Sequence, residues 1–89
     1  MKAVISVIGK DRVGILKEIS FKCAEHNVNI IDVTQKVLGD MFTMIMLVDI
    51  SEINIKFGDF AAEMEAFGKS IGMQARAMHE DIFNSMHRI

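Results

Sequence analysis

The stretch from Val7 to Ile30, VIGKDRVGILKEISFKCAEHNVNI, decides how this chain folds. Its first residues end a short β-branched run, Lys2 to Ile8, which reads as a strand closed by Gly9. Gly9 to Gly14 (GKDRVG) follows as a loop with a glycine at each end and charged residues between. A helix is expected next. Asp11 has the chemistry of an N-cap, and Leu16, Ile19 and Cys23 recur at helical spacing with Ile15 beside them. Asn27 suits the left-handed residue that ends a helix, and His26 suits its negative end. Val28 then opens another β-branched run.

Beyond this stretch, Val28 to Leu38 and Met41 to Ile50 flank Gly39-Asp40, which predicts a β-hairpin. A second helix is expected from about Asn54 to Ser70, because Phe57, Phe60, Ala61, Met64, Phe67 and Ile71 form one apolar face. Gly72 ends it, and Met73 to His79 alternates as a last strand. The order βαββαβ is the split βαβ unit, an α+β, ferredoxin-like two-layer sandwich. Right-handed crossovers then give an antiparallel sheet of order 4-1-3-2. The first and third strands, at its centre, are apolar on both faces, while the outer strands carry Asp32, Thr34, Gln35, Lys36, Gln74 and Arg76. Both helices must cover one face, which leaves the other apolar and in need of a partner.

Residues 1–80 thus form the domain, and 81–89 a short helical tail. Ile82, Phe83, Met86 and Ile89 share one side of that tail. Nine residues are too few for a helix alone in water, so the tail is expected to dock on its own domain or on a partner.

Composition bounds the function. The chain has 89 residues, one domain's worth, and 51% of them are hydrophobic, which points to self-association. Ten Lys and Arg against twelve Asp and Glu give a net charge of −2, without the basic footprint of a nucleic-acid binder. Neither a membrane-spanning run nor a signal peptide is visible. The single cysteine, Cys23, cannot form an internal disulfide, which leads to a cytoplasmic expectation.

The loop carries the possible chemistry. A glycine-bounded loop feeding a helix leaves backbone N–H groups free at the positive end of a dipole, a ready carboxylate or phosphate site. Asp11 would accept from an ammonium group, so a zwitterionic amino acid would find a partner for each charge. From the residues alone a plainer account stands beside this one. Asp11 caps the helix, Gly14 serves packing, and Lys10 and Arg12 are solvated.

Val7 to Ile30 also resembles the signature of ACT domains, in which a G-x-D/N-R-P-G-type loop leads into a helix and then an x-x-V-N-I strand start. The stretch MFTMIMLVDIS and the C-terminal EDIFNSMHRI look similar to small stand-alone ACT proteins. These are related to the glycine cleavage repressor family and to the N-terminal domain of formyltetrahydrofolate deformylases. The resemblance implies a homodimer, or a higher oligomer, with amino-acid pockets at the subunit interface. Asp11 and Gly14 of one chain and Asn29 of the other would contact the ligand, with Lys10, Val13 and Ile30 lining the site. It also implies a regulatory role without catalysis or cofactor, acting on some other protein. Two departures stand out. Val13 replaces a common proline, and Asp11 replaces the asparagine of some amino-acid binders.

Other chemistries fit less well. Cys23-x-x-His26 lacks further ligands at structural-zinc spacing, since His79 and His87 lie at the far end of the chain. An acylphosphatase-like enzyme would use Lys10 and Arg12, but the glutamine-containing loop and downstream arginine of that family are missing. RNA binding on the sheet would need aromatics, and Phe42 is the only one in a proposed strand. Met44 and Met46 on a central strand read as packing residues. Beside the ligand-binding module, a purely structural or partner-binding dimer without ligand stays in play.

Overall fold

The computed structural model describes residues 1–86; His87 and Ile89, both named above, lie outside the described residues. Its elements are β1 (Lys2–Lys10), α1 (Ile15–Glu25), β2 (Asn29–Leu38), β3 (Met41–Asp49), α2 (Phe57–Ser70), β4 (Met73–His79) and α3 (Glu80–Met86). The strands form one antiparallel sheet in the order β2-β3-β1-β4, which is the expected 4-1-3-2 read from the other edge.

The core lies between one face of the sheet and the two long helices. Ala3, Ile5 and Val7 of β1 and Met44, Met46 and Val48 of β3 meet Ile15, Ile19 and Cys23 of α1 and Phe60 and Met64 of α2. Ile15, Ile19 and Cys23 are the buried stripe of α1, whereas Leu16, expected on that stripe, stands partly exposed on its flank. The spacing i, i+4, i+8 keeps the stripe within one side of the helix. Burial pushes the Cys23 thiol up to about 11.

Helix α2 packs most tightly. A Cβ at Gly68 would meet the Ala75 Cβ at 2.7 Å, so α2 and β4 approach as closely as a glycine permits. It begins at Phe57 rather than near Asn54. Asn54 is drawn into the end of α1 instead: its backbone N–H donates to His26 O (3.2 Å) and its side-chain amide to Glu25 O (3.3 Å).

Two further boundaries differ from the sequence reading. Strand β1 continues through Gly9 and Lys10, because the β3 ladder extends to pair them with Phe42 and Met41. In β2 the register shifts between Ile30 and Asp32, a bulge that places Ile31 outside the alternation. The hairpin turns at Gly39, with φ of 63°, and Asn27 ends α1 with φ of 60°, both as expected.

The second face of the sheet is only partly covered. Ile8, Met41 and Ile45 are exposed on it. Val4, on the same face, is buried at the end of the sheet where α3 lies against β1 and β4. Phe83 of α3 is half-buried, while Ile82 and Met86 are exposed.

Candidate functional site

Between the end of β1 and the start of α1 the chain turns sharply at Gly14, whose φ of 91° would strain any residue with a side chain. Gly14 is itself the N-cap of α1, and no side chain bonds the first-turn N–H groups. The assignment of Asp11 as the cap is therefore corrected. Asp11 lies too far upstream, and its backbone N–H is occupied by Asp40 O at 2.8 Å. That bond ties the loop to the tip of the β2–β3 hairpin. The Asp11 carboxylate is exposed and makes no ion pair or hydrogen bond among the described residues.

Arg12 behaves differently. Its guanidinium donates to Glu18 Oε2 at 2.6 Å and to Val13 O at 3.0 Å. Arg12 is thus paired, while the Asp11 carboxylate is left free. A helix start whose N–H groups lack a side-chain cap lies beside an unpaired carboxylate, so the locality offers one pole to each charge of a zwitterion.

These groups open onto a cleft of about 350 Å³ lined by Asp11, Arg12, Gly14, Ile15 and Leu16 on one side and Gln35, Lys36 and Val37 on the other, with Phe42 at its base. One wall is the loop and α1; the other is the outer end of β2. A second cleft, about 320 Å³, lies on the other side of the loop and is lined by Ile8, Gly9, Lys10, Asp40 and Met41.

The residues singled out from the sequence divide accordingly. Asp11 and Gly14 line the first cleft, and Lys10 lines the second. Val13, 95% exposed, lines neither. Asn29 and Ile30 stand at the opposite end of the sheet. Asn29 pairs in register with Asp49, which pairs with Lys2, whereas the loop follows Lys10. At the rise of an extended chain that separation is roughly 25 Å. Ile30 is half-buried against its own core. Sequence reasoning missed Gln35, Val37 and Leu16 as cleft residues. Gln35 was grouped with the polar outer strand, since the bulge that sets its facing leaves no mark in the pattern.

A second polar cluster joins the C-terminal end of α1 to the middle of α2. His26 Nδ1 lies 3.1 Å from Asn54 Oδ1, and its Nε2 lies 3.0 Å from Glu63 Oε2, out of line for a hydrogen bond. Lys22 reaches Glu25 at 3.0 Å and Glu63 at 3.5 Å. The facing His26, helped by Lys22, holds the Glu63 carboxyl below its usual range. Lys22 occupies both carboxylates here, so the cluster reads as a clasp between α1 and α2.

The ACT domain family model matches residues 2–78. The chain belongs to the ACT domain family. This ACT domain is 48% identical over 88 residues to a UPF0237 protein of Methanocaldococcus jannaschii, covering 99% of this chain and 98% of that one. Its fold superposes on an ACT domain protein from Streptococcus pneumoniae with a TM-score of 0.82 and 40% identity, over 93% of each chain. A formyltetrahydrofolate deformylase from Burkholderia mallei shares the fold alone. Its TM-score is 0.76 at 11% identity, over 88% of this chain and 28% of the deformylase. ACT domains are commonly regulatory, ligand-binding modules. Among the described residues no helix is long and apolar enough to cross a membrane.

Proposed function

We propose that this ACT domain is a non-catalytic regulatory module that binds an α-amino acid in a cleft completed by a second copy of the chain. The observation that carries the reading is the separation of Asp11 and Gly14 from Asn29 along one sheet. Within one chain these residues cannot share a ligand. Strand β2 is an edge strand of ten residues with Ile31, Val37 and Leu38 exposed. An unpaired edge of this kind is a template for another strand. Antiparallel pairing of two β2 strands about a two-fold axis reverses one against the other. The partner's Asn29 then comes beside Leu38, at the mouth of the cleft that holds Asp11 and Gly14.

In that arrangement the ligand carboxylate sits on the N–H groups opening α1 and its ammonium group on Asp11. The exposed Ile82 and Met86 of α3 are offered to a partner as well. The buried, unpaired Cys23 suits a reducing compartment, and we place the module in the cytoplasm.

Thermal denaturation of the purified chain with each of the twenty amino acids tests the reading. A ligand at a hundred times its Kd adds about 2.7 kcal/mol, an easily measured rise in melting temperature. At least one amino acid is expected to raise it, and Asp11→Ala or Asn29→Ala to abolish the rise. If no amino acid stabilises the chain, or if scattering shows a monomer at micromolar concentration, the reading falls.

A further inference from the structure

We propose that Gln35 selects the ligand's side chain, restricting the cleft to amino acids with a hydroxyl or amide group; this rests on the amino-acid reading above. Cross-strand pairing shows why Gln35 is placed to do so. Ile30, Val33, Gln35 and Val37 of β2 pair with Val48, Met46, Met44 and Phe42 of β3, all four of which are buried in the core. Directly opposed residues share a face. Gln35 is therefore the one polar side chain in a row whose other members are apolar. It is exposed, and it makes no hydrogen bond among the described residues.

A polar residue in that row serves no packing purpose. The cleft gives it one. With the loop and the start of α1 engaged by the ligand's charged ends, the remaining wall is Leu16, Val37, Phe42 and Gln35, since Lys36 of β2 also borders the cleft but pairs with Thr43 on the opposite face of the sheet. Three of these are apolar, so the Gln35 amide is the group left to read a side chain. Its carbonyl accepts and its NH2 donates, which matches a hydroxyl or another amide. The volume of about 350 Å³ lies at the small end of ligand pockets, in keeping with a free amino acid. Closure by a second chain removes the cleft from water. A ligand without a polar side chain then leaves Gln35 unpaired, and discrimination comes from that unmet bond.

Isothermal titration of the full chain with shape-matched pairs, threonine against valine and asparagine against leucine, measures the effect. In the wild type at least one polar member is expected to bind about tenfold tighter than its apolar match. Gln35→Met, which keeps length and removes the amide, should bring the pair within about twofold while amino-acid binding persists. Gln35→Asn should restore part of the preference. Equal affinities in the wild type, or a preference unchanged in Gln35→Met, would overturn the assignment even if amino acids bind. Binding of no amino acid by the wild type removes the proposed function and this inference together. Melting temperature and circular dichroism of each variant show that the fold is kept, and the Gln35→Asn comparison stands if Gln35→Met fails to fold.

Discussion

The two helices cover the same sheet but are built to different ends. On the α2–β4 side Phe60 and Met64 are fully buried, and Gly68 lets the helix come within a methyl's width of Ala75. Neither helix has a side-chain cap and both edge strands lack an outer partner, but on the α1–β2 side Leu16 and Phe21 stand out from the helix and Ile31, Val37 and Leu38 from the strand. The α2–β4 half exposes no large apolar side chain among the described residues. The α1–β2 half exposes several, and that half holds the cleft. The contrast teaches that stability and binding are separated across the sheet, so each can be altered alone.

The contrast breaks most readily at Phe60. Phe60→Ala should lower stability by about 3–5 kcal/mol in urea denaturation, since it empties a fully buried site. Leu16→Ala, on the exposed flank of α1 although the sequence pattern puts it on the buried stripe, should lower it by less than about 1 kcal/mol. Similar losses at both positions would mean that the halves are not distinct. Gly68→Ala is the next largest. Alanine favours the helix by about 1 kcal/mol, but its methyl meets Ala75 at 2.7 Å, and the net is a loss of about 1–2 kcal/mol. A rise in the urea midpoint would show that α2 has room to move.

The smallest effect concerns the clasp between the halves. Glu63 is held below its usual range by His26 first and Lys22 second, so its ionised form is the one the fold favours. A depressed carboxyl contributes stability above its ordinary range and loses it as pH falls through the depressed value. The urea midpoint of Glu63→Gln should therefore lie slightly below wild type at neutral pH, with the gap closing in acid. A gap that widened as pH fell would reverse the assigned sign.

The element order was legible because periodicity is local. Phe57, Phe60, Met64 and Phe67 announce α2 without help from the rest of the chain, and Gly39-Asp40 announces the hairpin. What escaped was whatever depended on distant residues. Gly9 and Lys10 look like loop but are strand, because β3 supplies the ladder that fixes them. Asp11 has the chemistry of a helix cap, yet the hairpin tip holds its backbone, and α1 starts only after Gly14. Asn29 follows the loop closely in sequence, and only the topology shows that the two lie at opposite ends of the sheet. Gln35 was hidden by the bulge at Ile31, which changes the facing of every later side chain in β2.

The burial of Cys23 has a practical consequence. Its thiol is shut against the core under α1, and at about 11 its ionisation leaves little nucleophile near neutrality. An alkylating reagent reaches it only in the moments when α1 lifts from the sheet. The labelling rate is thus a clock that counts excursions of the α1 half, with no engineered probe. A molecule seated at the start of α1 slows that clock in proportion to how firmly it pins the helix.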